Sequence, residues 1–256
     1  MNKSYIAVFD SGVGGLHILE SLVKDFPHEN FIYLADEDYF PYGIKTKQQL
    51  EDRLTKIALK LNKMDVKTII IACNTASANS SHLNTFIEIP IIEIIGATAR
   101  FALSVTKNNK IGVWATNATI ASNKYSDVIS KQATCYGVKA SDLVELIETN
   151  QLNSTIPYVN NHLEEIKDAD TLILGCTHFP LLSGIIKDIN PSLQLVSSNY
   201  PVSKTLKELL EKKNIENLNN DHQIINLYTT KLNGELSVKA NRFDIKVSSV
   251  DYLDLE

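Results

Sequence analysis

A chain of 256 residues is long enough to bury a sizeable core, either as one large domain or as two small ones. With 44% hydrophobic and 21% charged residues it has the composition of a soluble globular protein, and a formal net charge of −5 leaves no basic footprint for nucleic acid or anionic membrane. No apolar run nears the ~20 residues needed to span a bilayer, and the opening MNKSYIAVFDSG lacks an apolar core followed by a small-residue cleavage site, so neither a membrane span nor export is expected. Three cysteines, Cys73, Cys135 and Cys176, form an odd, sparse set that points to reduced thiols in the cytoplasm and not to a disulfide framework.

Apolar runs of strand length alternate with segments of helical period along the chain. Strands are predicted at 5–9, 30–35, 67–72, 89–95, 110–115, 171–175 and 193–197, with helices at 14–25, 46–62, 97–106, 119–131, 141–150 and 202–213. Such alternation reads as βαβ units around a parallel sheet, and the lack of polar alternation within the runs suits strands covered by helices on both faces. Toward the carboxy terminus, 224–230 and 242–250 resemble further strands. The lysines at 45, 47, 60 and 63 read as solvated helix faces. No long Pro/Gly/Ser linker occurs, so any two lobes must be joined by short crossings.

One phrase recurs. TIIIACNT (68–75) and TLILGCTH (171–178) each end an apolar strand in a cysteine, 103 residues apart. IAVFDS (6–11) and IGVWAT (111–116) repeat more weakly at a spacing of 105. Two α/β lobes related by a pseudo-twofold explain both spacings. Ligands of open α/β sheets bind beyond the carboxyl ends of strands, so facing lobes would direct both thiols into one cleft.

Metal binding is poorly served by these thiols, because there is no CxxC pair and His178 has no second chelating cluster. A redox dithiol usually sits as CxxC, and acyl transfer by one nucleophilic cysteine leaves the other without a task. Two thiols across one substrate carbon suit removal of a proton from one face and delivery to the other, since a thiol titrates close enough to neutrality to act as base or acid. Both cysteines precede expected helix starts, whose free N–H groups favour a thiolate. DSGVGG (10–15) reads as a tight strand-to-helix turn able to hold a small anion such as a carboxylate, with no match to a nucleotide loop. Asp10 can orient an ammonium or a cysteine's proton partner. FPYG (40–43) supplies Tyr42 and Gly43 as hydroxyl and amide donors, and Asn74, Thr75, Thr177 and His178 flank the thiols. Cys135 reads as strand packing, and His82, His162 and His222 as surface or satisfied histidines.

From VFDSGVGGL through FPYG, ACNTAS and ATNATIASNKY to LILGCTHFPLL, the sequence resembles the glutamate racemases of the aspartate/glutamate racemase superfamily, and YLADEDYFPYG and ASDLVELIE look most like a Gram-negative branch. The resemblance covers most of residues 5–200. It implies an α/β protein of two pseudo-symmetric lobes, each a mainly parallel sheet flanked by helices, with the active site in the cleft between them. Lobe A would hold 1–95 and about 206–256, with Asp10 and Cys73, and lobe B about 96–205, with Cys176. It also implies interconversion of L- and D-glutamate without pyridoxal phosphate, metal or nucleotide, to supply D-glutamate for peptidoglycan. Cys176 would take the α-proton of L-glutamate and Cys73 would protonate the opposite face. Asp10 would assist Cys73, His178 would assist Cys176, and Glu145 would support the second thiol. Ser11, Tyr42, Gly43, Asn74, Thr75, Thr119 and Thr177 match substrate contacts. A cell-wall precursor activates some relatives, and homodimers are common. Aspartate racemisation, or a catalytically inactive glutamate-binding regulator, is the alternative.

Overall fold

The computed structural model describes residues 5–218, 222–232, 234 and 236–255. It opens with β1 (Tyr5–Asp10), α1 (Leu16–Asp25), β2 (Asn30–Ala35), α2 (Lys47–Lys63), β3 (Val66–Ile71), α3 (Asn74–Ala78) and β4 (Ile91–Glu93). There follow α4 (Ile94–Val105), β5 (Lys110–Ala115), α5 (Asn117–Ala121), α6 (Lys124–Ile129), β6 (Thr134–Lys139), α7 (Asp142–Glu148), α8 (Ile156–Glu165), β7 (Thr171–Gly175), α9 (Ser183–Ile189) and β8 (Gln194–Val196). The chain closes with α10 (Asn199–Lys213), β9 (Ile225–Thr229), α11 (Leu236–Ala240) and β10 (Ser249–Tyr252). Contacts divide these elements into two units, Met1–Ile94 with Val202–Glu256, and Ile95–Pro201.

The first unit holds a six-stranded sheet in the order β10-β9-β2-β1-β3-β4, the second a four-stranded sheet in the order β6-β5-β7-β8. Every pairing among the described residues is parallel. The run β2-β1-β3-β4 in one sheet has the same order and direction as β6-β5-β7-β8 in the other, so the repeated phrase in the sequence occupies equivalent strands, β3 and β7.

The continuous apolar runs follow from burial on both sheet faces. Along β1, Ile6 and Val8 enter one core cluster with Leu16, Leu19 and Leu22 of α1, while Ala7 and Phe9 enter a second with Leu50, Leu54 and Leu61 of α2. Ile69, Ile71 and Cys73 share the second face. In the other unit Trp114, Leu172, Leu174 and Cys176 share one cluster. Helix α2 begins with a capping box, Thr46 Oγ1 accepting from Gln49 N at 3.3 Å and Gln49 Oε1 from Thr46 N at 2.9 Å, which fixes where its apolar stripe starts.

Three predicted elements differ. The run 89–95 is a strand only at Ile91–Glu93, because Ile94 N–H donates to Ser77 Oγ at 3.2 Å and the chain turns into α4. The helix expected over 119–131 is two, broken at Asn123, whose φ of 59° is left-handed. All four described non-glycine residues with positive φ are asparagines, the side chain that best tolerates that region after glycine. Residues 242–250 pair as a strand only from Ser249; Phe243, Ile245 and Val247 pack onto the first core cluster from a turning stretch without a ladder, in which Ile245 N–H donates to Phe243 O at 2.9 Å and Val247 N–H to Ile245 O at 3.1 Å. Among the described residues no helix is long and apolar enough to cross a membrane.

Candidate active site

In the first unit, the carboxyl ends of β1 and β3 lie side by side, with Phe9 paired to Ile71. Asp10 follows at the end of β1 and is fully buried, and its Oδ1 accepts from Gly12 N at 2.8 Å. That amide is therefore committed within the loop. No described glycine has a positive φ, so the glycines of DSGVGG are not there for an unusual backbone conformation, and it is at Gly15 that space is short. At Gly15 a Cβ would stand 2.7 Å from Asp10 Cβ and 3.0 Å from Tyr33 Oη. Tyr33, whose hydroxyl donates to Gly12 O at 2.8 Å, has its pKa pushed well up by burial and by the charges of Asp10 and Cys73.

Cys73 is the residue before α3. Its Sγ accepts from Ala76 N at 3.4 Å and its thiol reaches Ser11 Oγ at 3.4 Å. Asn74 and Thr75, the first residues of that helix, are buried beside it. Tyr42 and Gly43 belong to a 3-10 turn, Tyr42–Ile44. The Tyr42 hydroxyl is not the free donor the sequence suggested: it donates to Asp36 Oδ2 at 2.6 Å. Asp36, fully buried, was not singled out by the sequence, because an aspartate after a strand has no distinguishing pattern. Burial, Asp36 and Cys73 together hold the Tyr42 phenol well above its usual range and so keep it neutral.

In the second unit, β7 ends at Gly175, paired with Ala115 of β5, and Cys176 follows. The residues after Cys176 form a turn and a short 3-10 segment, Phe179–Leu182, before α9, so the helix start expected next to this thiol lies seven residues further on. His178 takes over its electrostatic support. Its Nδ1 lies 3.5 Å from Cys176 Sγ, and its Nε2 bonds Glu148 Oε1. Burial opposes the charged ring, but the hydrogen bonds to Cys176 and Glu148 and their charges outweigh it, raising the His178 pKa to about 10. An imidazolium at neutral pH stabilises a thiolate beside it.

The carboxylate on His178 is thus Glu148 and not Glu145. Leu143 and Ile147 form the buried stripe of α7, and Glu145, about 200° round the helix from Leu143, is exposed. Glu148, the last residue of α7, is half-buried, its side chain 22% exposed. Thr119 is buried in α5, its N–H and Oγ1 at 3.3 and 3.0 Å from the capping Thr116 Oγ1, and Thr177 is half-buried between Cys176 and His178.

Cys135 stands apart on β6, and burial pushes its thiol up to about 11, which leaves it protonated. His162 bridges Asp142 and Glu165, and His82 bonds Thr55 Oγ1 and Asn79 O, so both are satisfied. His222 is exposed. No group of three metal-ligating side chains occurs among the described residues.

Residues 15–199 match the family model of the Asp/Glu/hydantoin racemases. A glutamate racemase of Hydrogenobaculum sp. is 33% identical over 98% of each chain. Among solved structures, glutamate racemase of Francisella tularensis in complex with D-glutamate is 30% identical with a TM-score of 0.91, covering 100% of this chain and 99% of that one. Escherichia coli glutamate racemase, solved with L-glutamate and the activator UDP-MurNAc-ala, is 25% identical with a TM-score of 0.78 over 98% of both chains. With two parallel α/β sheets of the same strand order, a buried thiol ending the matching strand of each, and this similarity along almost its whole length, the chain belongs to the Asp/Glu/hydantoin racemase family, as one of its glutamate racemases.

Proposed function

We propose that the protein interconverts L- and D-glutamate by a two-cysteine, two-base mechanism. The observation that carries this reading is the pair of buried thiols ending the matching strands β3 and β7, each with its own polar partners. Cys176 acts as the base toward L-glutamate: its thiolate, held by the His178 imidazolium and through it by Glu148, takes the α-proton and becomes a thiol. Cys73 breaks its S–H bond and delivers that proton to the opposite face, giving D-glutamate and a Cys73 thiolate. The reverse direction exchanges the roles. Asp10 and Ser11 support Cys73.

The α-proton of an amino acid is far less acidic than a thiol, so the intermediate carbanion needs donors already aimed at the carboxylate in a water-poor site. Ser11, Gly43, Asn74, Thr75, Thr119 and Thr177 are short polar groups suited to the carboxylates and ammonium. The Tyr42 hydroxyl, its proton committed to Asp36, presents only lone pairs to a substrate.

Incubation of the metal- and pyridoxal-free protein with L-glutamate in D2O should yield D-glutamate carrying α-deuterium. Cys73→Ser and Cys176→Ser should each abolish racemisation, while Cys135→Ser keeps it; a fully active Cys73 or Cys176 variant contradicts the scheme. A higher kcat/KM for aspartate would move the substrate assignment. The product would serve peptidoglycan synthesis in the cytoplasm. By analogy with the Escherichia coli relative, a UDP-linked precursor would raise turnover, and a homodimer is the proposed assembly.

A further inference from the structure

The turn that carries Tyr42 and Gly43 is tied down by a charged network with no place in the reaction scheme. Asp36 sits at the end of β2, fully buried, and its N–H donates to Asp10 O at 3.0 Å, next to the residues that support Cys73. Four donor contacts converge on its carboxylate. Arg53 gives Nε to Oδ2 at 2.9 Å and Nη2 to Oδ1 at 2.5 Å, Tyr42 its hydroxyl to Oδ2 at 2.6 Å, and Thr230 its hydroxyl to Oδ1 at 2.8 Å.

These donors come from three separate parts of one unit, the 3-10 turn, α2 and the residue following β9, and tie them to the loop after β2. Arg53 also lies over the Tyr39 ring at 5.0 Å, and Tyr39 meets Tyr42 edge-on at 6.0 Å, so the guanidinium holds the loop 36–42 by two routes. The forked guanidinium spans both carboxylate oxygens, a geometry a lysine cannot reproduce. A buried carboxylate without that partner would be strongly unfavourable, so Asp36 and Arg53 depend on each other.

We propose that Arg53 and Asp36 are positioning residues for substrate binding: the pair fixes the Tyr42 ring and so sets the Tyr42–Gly43 turn against the glutamate carboxylate. This rests on the assignment of that turn to substrate binding. The network touches no reacting atom. Its loss therefore weakens the grip on ground state and transition state alike, raising KM with a smaller change in kcat.

The experiment compares wild type with Arg53→Lys, Arg53→Ala, Tyr42→Phe and the control Lys56→Ala, an exposed residue one turn along the same helix. Racemisation kinetics are read beside calorimetric binding of D-glutamate in the inactive Cys73→Ser background. KM and Kd should rise about tenfold in Tyr42→Phe and Arg53→Lys and further in Arg53→Ala, with kcat within about threefold and Lys56→Ala unchanged. Circular dichroism identifies any variant that fails to fold, and Tyr42→Phe and Arg53→Lys, which leave the Asp36 charge matched, then decide. Unchanged KM and Kd in folded Tyr42→Phe and Arg53→Lys overturn the proposal, as does a loss confined to kcat. A wild type that binds but does not turn over would defeat the racemase reading alone, because the Kd comparison still tests the positioning role.

Discussion

Replacing Glu148 by glutamine removes one charge from the relay behind Cys176 while keeping the size of the side chain. The rise of the His178 pKa from 6.5 to about 10 corresponds, at 1.36 kcal/mol per unit, to about 5 kcal/mol in favour of the imidazolium, shared between Cys176 and Glu148. Losing one carboxylate within hydrogen-bond reach of a buried ring should lower that pKa by about one to three units. The sign for stability follows. His178 binds its proton more tightly in the folded state, so this stabilisation is fully present below about pH 6.5 and is lost as pH rises through about 10. Glu148→Gln should therefore lose less stability between pH 7 and 10 than wild type, starting from a lower value. Histidine Cε1 shifts followed by NMR from pH 6 to 10.5 give the titration directly, and urea unfolding at both ends gives the linkage. The kcat/KM for L-glutamate at pH 9, where the ring stays mostly protonated in wild type and is at least half neutral in the variant, should fall at least about twofold as the neighbouring thiolate loses its cation. A wild-type His178 that titrates near 6.5, or one whose titration is the same in Glu148→Gln, would refute the relay.

Two further substitutions probe the first unit. Gly15→Ala places a Cβ 2.7 Å from Asp10 Cβ, so it should cost about 1–3 kcal/mol in urea unfolding and displace Asp10, with a fall in kcat/KM; wild-type stability would mean that the loop yields freely. Lys67 and Glu29 form an ion pair at 2.5 Å, each side chain only 4% exposed, with Lys67 also donating to Ile215 O. Lys67→Met leaves Glu29 buried and unmatched and should cost about 3–5 kcal/mol, most of it recovered in Lys67→Met/Glu29→Leu; a double variant as unstable as the single one contradicts this account.

Much of this protein was written in local pattern. Strands buried on both faces are apolar along most of their length, so the runs ending at Cys73 and Cys176 declared themselves, and their echo declared a repeated unit. The motifs around Asp10, Tyr42, Asn74 and His178 also stood out, because each is contiguous; three of them place polar groups at or just past a strand end, and the fourth lies in the turn Tyr42–Ile44. What the chain could not declare was which of several similar side chains would turn inward. Glu145 and Glu148 lie one turn apart on the same short helix, and only the docking of Leu143 and Ile147 against the core sends Glu148, and not Glu145, to His178. Asp36 acquired its importance from Arg53, 17 residues on, and from Thr230, 194 residues on. Likewise β9 and β10 became parallel additions to the edge of β2, although Phe243, Ile245 and Val247 show the same alternation without pairing. Periodicity records which residues meet a core, and the sequence determined that. A charged side chain's partner is set by where distant segments come to rest, and only the tertiary structure decided it.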